Sequence, residues 1–160
     1  MTRITAFEVP SDADEAFLAS WGSAALYRAL RADVDFRFVA ISEGIADVPF
    51  RAHTSRYEVV RVHGTPDVEG GVVLIDPIEV PATEDERFVS TWEGAQAVLA
   101  HRRGYLGARL YRSIEPSDFR FVEVARWSSP LMVARAEREP DHPTTPFPSH
   151  PALYQAIRRD

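Results

Sequence analysis

The sequence predicts an α+β fold made of two similar β-α-β-β-α-β repeats, the first short of helices, whose sheets pack against each other within one chain. The main observation is that three segments recur in the same order along the chain. Ordered recurrence indicates a tandem duplication, with one repeat at 1–70 and the other at 71–160. The matching pairs are FEVPSDADEAFLASW (7–21) with IEVPATEDERFVSTW (78–92), LYRALRADVDFRFVAIS (26–42) with LYRSIEPSDFRFVEVAR (110–126), and FRAHTSRYEVVR (50–61) with FPSHPALYQAIR (147–158).

The second repeat starts with a short strand that ends at EVP, followed by a segment with the pattern of an amphipathic helix. Thr83 is a candidate N-cap, Glu86 has the capping-box position three residues later, and Gly104 is a typical residue at a helix end. Apolar residues recur at helical spacing and would form one buried face. These residues are Phe88, Trp92, Ala95 and Leu99.

The rest of the second repeat predicts a hairpin, a second helix and a last strand. Ser129 followed by Pro130 is typical of a helix start. The resulting strand and helix order is that of a ferredoxin-like unit. The segments are the strands YLGARLYRSI and DFRFVEVARW around the turn EPS, the helix SSPLMVARAERE, the Pro-rich loop 140–151 and the strand ALYQAIR.

The first repeat keeps these strands and loses much of their helical cover. Four residues separate Trp21 from Leu26, where the second repeat has seventeen between Trp92 and Leu110. EGIADVP stands where the second repeat has a helix. Because an exposed apolar sheet face must be buried, the two sheets are expected to pack on each other. Gly70 and Gly71 predict a tight turn between the repeats.

The composition excludes several classes of protein. The chain has no cysteine, no lysine and no asparagine, which excludes disulfides, thiolate nucleophiles and Schiff-base lysines. A net charge of −6 with scattered arginines does not fit nucleic-acid binding. No apolar run reaches the about 18 residues of a membrane span, so a cytoplasmic protein is expected. The spacing of His and acidic residues predicts no metal site, and no Gly-rich phosphate loop is present.

The segments EVP, DERFVSTW, LGARLYRS with FRFVEVARW, and HPALYQAIR resemble the antibiotic biosynthesis monooxygenase family of the dimeric α+β barrel superfamily. The resemblance covers 71–160 from end to end and the first repeat in pieces. It implies that two ferredoxin-like units pair into a barrel, here within one chain. It also implies oxidation of anthrone-type aromatic polyketides by molecular oxygen without flavin, haem or metal. Other relatives degrade haem, cyclise polyketides or isomerise lactones.

The resemblance places the site on the strand DFRFVEVARW. The family carries an Asn and, four residues later, a Trp; this chain has Glu123 and Trp127 at those positions. The first repeat has Ala40 and Gly44 instead, which assigns the pocket to the second repeat. Glu123 and Trp127 are therefore the candidate catalytic residues. Alternation along the strand places them on one face with further residues: Phe119, Phe121 and Ala125.

Two roles for Glu123 are open. In an apolar pocket, burial would raise its pKa towards neutrality, which suits a general base that removes a proton from an aromatic substrate. Alternatively, Glu123 pairs with Arg109 or Arg112 on the neighbouring strand. Trp127 would either stack on a planar ligand or belong to the core.

The other candidate residues surround this pair. The expected substrate contacts are Phe121, Tyr111, Arg109, Met132 and His150. His150 has a counterpart in His53, which also favours a structural role for both. Trp92 recurs as Trp21 and is expected in the core, and His101 and His142 are expected in solvent. The Pro-rich loop 140–151 is either a lid or a stiff connector.

The function predicted first is a cofactor-independent monooxygenase that acts on an anthrone-like aromatic substrate with O2 and needs no metal. The alternatives are a cyclase or isomerase that uses Glu123 as acid and base, and a non-catalytic ligand-binding protein. No nucleic-acid or membrane partner is expected. The duplication predicts a monomer that is internally a pseudo-dimer, with a homodimer as the alternative.

Overall fold

The computed structural model describes residues 2–22, 24–44 and 48–158. It confirms the predicted α+β class. None of the helices in these ranges is long and apolar enough to cross a membrane. The elements are β1 (Thr2–Glu8), α1 (Asp14–Ser20), β2 (Leu26–Ala29), β3 (Phe38–Ser42), β4 (Arg51–Gly64), β5 (Val72–Ile78), a 3₁₀ turn (Ala82–Glu84), α2 (Asp85–Leu99), β6 (Tyr105–Ser113), β7 (Phe121–Trp127), α3 (Pro130–Glu137) and β8 (Ala152–Arg158).

The strands form one closed antiparallel barrel in the order β1-β3-β2-β8-β5-β7-β6-β4. The first half of the chain contributes β4-β1-β3-β2 and the second half contributes β8-β5-β7-β6, which is the same order shifted by four strands. The two sheets join edge to edge, through β2 with β8 and through β4 with β6. Each sheet therefore has one face towards the barrel interior and the other towards its own helices.

Equivalent tyrosines tie the two halves together. The Tyr57 hydroxyl donates to the Phe119 carbonyl oxygen at 2.7 Å, and the Tyr154 hydroxyl donates to the Phe36 carbonyl oxygen at 2.6 Å. Both hydroxyl groups are buried, and burial raises the pKa of Tyr57 to about 12. Each bond crosses from one half of the chain to the other, so each half satisfies a buried carbonyl group of its neighbour.

The first helix of each half is held to its own sheet by a matching ion pair. Arg37 binds Asp14 at the start of α1 at 2.8 Å, and Arg120 binds Asp85 at the start of α2 at 2.6 Å. A carboxylate in the first helical turn is also favoured by the helix dipole. The same contact therefore orients a seven-residue helix in the first half and a fifteen-residue helix in the second.

The volume beneath α1 in the first half is filled by side chains. Phe17 stacks on Phe38 with ring centroids 4.2 Å apart, and Phe50 packs edge-on against Phe17 at 5.5 Å. Ala40 is buried in the same cluster. Between β3 and β4 the described residues contain no helix, and positions 45–47 of the EGIADVP segment lie outside the described residues.

The structure corrects several local predictions. Thr83 is not an N-cap, because it lies inside the 3₁₀ turn that precedes α2 and no side chain caps that helix. Phe119 does not share the face of Glu123, because β7 begins at Phe121 and the preceding loop turns Phe119 into the barrel interior. There the centroid of its ring lies 5.4 Å from that of Phe36 and 5.3 Å from that of the His150 ring.

Two other local predictions are confirmed. Ser129 caps α3 by accepting from the Met132 backbone N–H, with Pro130 at the first helical position. Gly104, by contrast, does not end α2, because that helix ends at Leu99 with Ala100 as its C-cap; Gly104 lies in the following turn with φ +89°, and a Cβ there would lie 2.4 Å from the Met132 side chain. Gly71 has φ +71°, and its Cβ would lie 2.1 Å from the Trp127 carbonyl oxygen, so the turn between the halves requires glycine.

Removing either cross-half hydroxyl group should destabilise the barrel. We expect Tyr154→Phe to lower the free energy of unfolding by about 1–3 kcal/mol, because it leaves the buried Phe36 carbonyl group unsatisfied. Tyr57→Phe should lower it by about 0.5–1.5 kcal/mol, because the Phe119 carbonyl group keeps the Ser117 hydroxyl as a donor at 3.1 Å. Tyr27→Phe is the matched control, since Tyr27 packs on the same cluster without a hydrogen bond for its hydroxyl among the described residues. Urea unfolding measures all three, and equal stabilities for the three variants would contradict the assignment.

Candidate functional site

A cavity of about 540 Å³ lies in the second half, between the outer face of its sheet and its two helices. This volume is within the range of about 300–1,000 Å³ that is usual for small-molecule sites. The Pro-rich loop completes the wall. Its polar and aromatic lining includes Asp76, Trp92, Gln96, Glu123, Trp127 and His142.

Strand alternation brings two carboxyl groups to this cavity. Asp76 on β5 and Glu123 on β7 are directly opposite each other in the antiparallel register. Val122 and Val124, on the other face of β7, pack in the barrel interior. The cavity therefore has adjacent acidic side chains on an otherwise apolar sheet surface.

Glu123 is held by two N–H donors from α2. Its Oε1 accepts from Trp92 Nε1 at 3.1 Å and from Gln96 Nε2 at 3.0 Å. Burial raises the pKa of Glu123, and these two hydrogen bonds oppose the rise by stabilising the carboxylate. No described residue donates to Oε2, so the protein leaves the acceptor sites of that oxygen unused within the described ranges.

The predicted alternative for Glu123, an ion pair with arginine, is wrong. The β6 residue opposite Glu123 is Leu110. Arg109 binds Asp67 at 2.5 Å and Arg112 binds Glu58 at 2.8 Å, both towards solvent. Glu123 thus lies in the cavity without a neighbouring cation among the described residues.

Tyr105 fixes the orientation of Gln96. The Tyr105 hydroxyl donates to Gln96 Oε1, which leaves Nε2 as the atom that faces Glu123. Burial raises the pKa of Tyr105, so its hydroxyl stays protonated and remains a donor. Its ring packs edge-on against Trp127 with centroids 5.3 Å apart. Trp127 in the cavity wall is therefore connected to the Glu123 carboxylate through Tyr105 and Gln96.

Asp76 is a candidate site residue that the sequence analysis did not identify. It is 7% exposed, and its Oδ1 accepts from the His150 backbone N–H at 2.9 Å. Burial, together with the charge of Glu123, raises the pKa of Asp76 to about 7. Both carboxyl groups therefore favour their neutral forms more than an exposed carboxyl group does.

His142 also differs from its expected position in solvent. It lines the cavity from the Pro-rich loop, and its Nδ1 is buried without a hydrogen-bond partner among the described residues. The end of the loop is fixed to the barrel, because the Glu79 backbone N–H donates to the Pro148 carbonyl oxygen at 2.8 Å. The loop is thus a wall of the cavity, and His142 offers a polar contact to a bound molecule.

The structure brings some predicted site residues together and separates others. Trp127 lines the cavity, and Trp92, which packs in the core as predicted, lines it as well. Phe121 and Met132 pack in the adjacent core cluster, where Phe121 lies 4.6 Å from Phe88 between ring centroids. These two residues support the wall from behind.

Three predicted contacts lie elsewhere. Tyr111 packs in the barrel interior and Arg109 binds Asp67 at the surface. The His150 ring binds Asp35 at 2.6 Å and Glu79 at 3.1 Å. Although partial burial lowers it, these carboxylates raise the pKa of His150 overall. Direct contact of these side chains with a ligand in this cavity does not fit their positions.

The ring of His150 has an equivalent in the first half. His53 lies 2.7 Å from Asp118 and 2.9 Å from Glu8. Each histidine therefore bridges one carboxylate of its own half and one of the other. Among the described residues, no group of three or more His, Asp or Glu side chains has an arrangement that could hold a metal ion.

Comparisons with known proteins give structural matches. No family model and no curated protein matches the sequence. A "putative monooxygenase" from Shewanella loihica PV-4 is 31% identical, with a TM-score of 0.50, over 54% of this chain and 94% of that chain. Nearly the whole of that protein thus corresponds to about half of this one.

Two further structures match almost the full length of both chains. A ferredoxin-fold protein from Listeria monocytogenes, related to antibiotic biosynthesis monooxygenases, has 14% identity and a TM-score of 0.55 over 96% of this chain and 93% of that chain. An anthrone oxidase-like protein has 10% identity and a TM-score of 0.71 over 98% of this chain and 91% of that chain. At these identities the two matches show the shared fold.

Asp76 should make stability depend on pH. Between the usual pKa near 3.8 and the folded value of about 7, the unfolded chain loses this proton while the folded chain keeps it, so stability falls as pH rises. We expect Asp76→Asn to match the wild type at pH 4 and to be more stable at pH 8 by about 2–4 kcal/mol. Urea unfolding across this pH range measures the difference.

The control for this measurement is Asp12→Asn, which replaces an exposed aspartate. Its stability should follow the wild-type curve at every pH. An Asp76→Asn curve parallel to that of the wild type would mean that Asp76 titrates normally.

Proposed function

The chain belongs to the ferredoxin-fold proteins related to the antibiotic biosynthesis monooxygenases, and from this premise we propose that it is a cofactor-independent monooxygenase for an anthrone-like aromatic substrate. The observation that carries the proposal is Glu123, a carboxylate with a raised pKa on the wall of an apolar cavity. Such a group is suited to remove a weakly acidic proton from carbon.

The reaction starts with proton transfer to Glu123. Removal of a methylene proton from an anthrone gives a carbanion whose charge spreads over the rings and the carbonyl oxygen. This electron-rich anion transfers one electron to O2, and the two radicals combine to a peroxide that loses water. One anthrone and one O2 thus give one quinone and one water, with one oxygen atom in each product.

The cavity walls fit a planar aromatic substrate. Trp92 and Trp127 supply aromatic surface on the helix side and the sheet side. His142 has an unpartnered ring nitrogen that would bind a hydroxyl or carbonyl group on the substrate. Gln96 and Trp92 hold the base in place by their hydrogen bonds, which limits the reorganisation needed during proton transfer.

We also infer that the barrel arose by tandem duplication and acts as a monomer. The support is the equivalent strand order in the two halves, the repeated Tyr57 and Tyr154 bonds, and the half-length match to the Shewanella protein. The boundary falls at the 70/71 turn, and the pocket belongs to the second half because Ala40 stands where that half has Glu123.

A second candidate function is an acid–base isomerase or cyclase. It is favoured by Asp76, which lies directly opposite Glu123 and supplies an acid beside the base. The oxygenase reaction described above does not use such an acid. The third candidate is a protein that binds its ligand without turnover, which an assay of oxygen uptake and binding distinguishes from an oxygenase.

Oxygen uptake with anthrone, measured on metal-stripped protein, tests the oxygenase. We expect uptake above the spontaneous rate, a decrease of about 10²–10⁴-fold in Glu123→Gln because the base is lost, and a decrease of about 3- to 10-fold in Trp127→Phe because an aromatic wall shrinks. An oxygen electrode gives the rate, and product absorbance confirms the quinone.

The control is Glu69→Gln, which removes an exposed carboxylate from the turn before β5. Its uptake should equal that of the wild type. If anthrone quenches the tryptophan fluorescence of the protein but uptake stays at the spontaneous rate, the oxygenase is excluded and binding or acid–base chemistry remains.

A further inference from the structure

The two carboxyl groups of the cavity are neighbours that a single substrate could touch. Directly opposite residues in an antiparallel pair have Cβ atoms about 4.5–5.5 Å apart. Asp76 and Glu123 are such a pair, and both face the cavity. Each has one oxygen bound by the protein and one without a donor among the described residues: Oδ2 of Asp76 and Oε2 of Glu123.

Their surroundings give the two groups different roles. Glu123 accepts from two side-chain N–H groups, whereas Asp76 accepts from a single backbone N–H, of His150, that is shared with the Pro77 carbonyl oxygen at 3.1 Å. More donors stabilise a negative charge better, so Glu123 is suited to act as the base of the pair and Asp76 as its acid.

The remaining ionisable groups near the pair do not replace either role. Tyr105 uses its hydroxyl on Gln96, and the His150 ring binds Asp35 and Glu79 outside the cavity. Glu137 on α3 and His142 on the loop also line the cavity. Glu137 is exposed to solvent, which leaves His142 as the group that a pH experiment must separate from Asp76.

We propose that Asp76 and Glu123 form an acid–base pair that interconverts the keto and enol forms of a bound aromatic ketone without oxygen. Glu123 takes a proton from the carbon next to the ring system, and Asp76 gives its proton to the carbonyl oxygen. The C–H bond breaks and the O–H bond forms, so the substrate remains neutral. The pair ends with the proton on Glu123 and the charge on Asp76, and reversal or exchange with water resets it.

This activity rests on the same cavity as the proposed function, but it needs no oxidant. It makes Asp76 a catalytic residue and supplies the electron-rich enol that would precede a reaction with oxygen. A protein that had the pair but did not react with oxygen would still perform the tautomerisation. The two activities can therefore be measured separately.

The experiment is hydrogen exchange of anthrone in anaerobic D2O, followed by loss of its methylene proton signal in NMR spectra at pH 6–7. We expect the protein to accelerate exchange over buffer by at least about 10²-fold. Glu123→Gln should reduce exchange to the buffer rate. Asp76→Asn should slow exchange by about 10-fold or more, because an amide is a poor acid, and Glu69→Gln should exchange at the wild-type rate.

The pH profile distinguishes catalysis by Asp76 from a structural effect. After subtraction of the buffer rate, wild-type exchange should fall as pH rises through about 7, where Asp76 loses its proton. This alkaline fall should vanish in Asp76→Asn and persist in His142→Gln, even where the latter binds anthrone more weakly. Unfolding curves for each variant identify any loss of folded protein.

The outcomes separate this inference from the oxygenase. Accelerated exchange without oxygen uptake supports the acid–base pair and excludes the oxygenase. Oxygen uptake without accelerated exchange, or an Asp76→Asn variant with the wild-type rate and pH profile, overturns the pair. Exchange at the buffer rate together with no uptake overturns both.

Discussion

Closure of the barrel is the constraint on which the rest of the structure depends. Because the sheets join at both edges, the strands of the second half have one face in the barrel interior and the other beneath α2 and α3. The middle of the sheet face beneath these helices is therefore removed from bulk water. Asp76 and Glu123 are on the helix side, and their raised pKa values follow from that enclosure. The raised pKa values of the two carboxyl groups are thus a consequence of how the sheet closes.

The equivalent tryptophans Trp21 and Trp92 differ in their hydrogen-bond acceptors, and this difference accompanies a packed first half and a second half with a cavity. Trp21 Nε1 donates to the Ala24 carbonyl oxygen at 3.0 Å, whereas Trp92 Nε1 donates to Glu123 at 3.1 Å. A buried indole N–H needs an acceptor in both halves. The first half has Ala40 at the equivalent position and finds its acceptor in the backbone. The second half uses the carboxylate, and the longer α2 adds Gln96 as a second donor.

The sequence predicted the α+β class and, of the two carboxyl groups in the cavity, only Glu123. The alternation in FVEVARW correctly placed Glu123 with Trp127, and the repeat anticipated two ferredoxin-like sheets. Asp76 escaped because VVLIDPI has the composition of a buried strand, and its partnership with Glu123 depends on a register between strands 47 positions apart. Such a register depends on pairing across the whole sheet, which local periodicity does not contain. For the same reason, the sequence could not show that Leu110 is the β6 residue opposite Glu123, and it left Arg109 and Arg112 as candidate partners.

The junction between the halves has a consequence for how the barrel behaves on dilution. Both seams lie within one polypeptide, and the short connection between β4 and β5 includes the turn that requires Gly71. A barrel of two separate subunits falls apart as the protein concentration drops below its dissociation constant. Here one half meets the other at an effective concentration set by the connecting chain. The cavity therefore stays assembled at any abundance, even when a cell contains only a few copies.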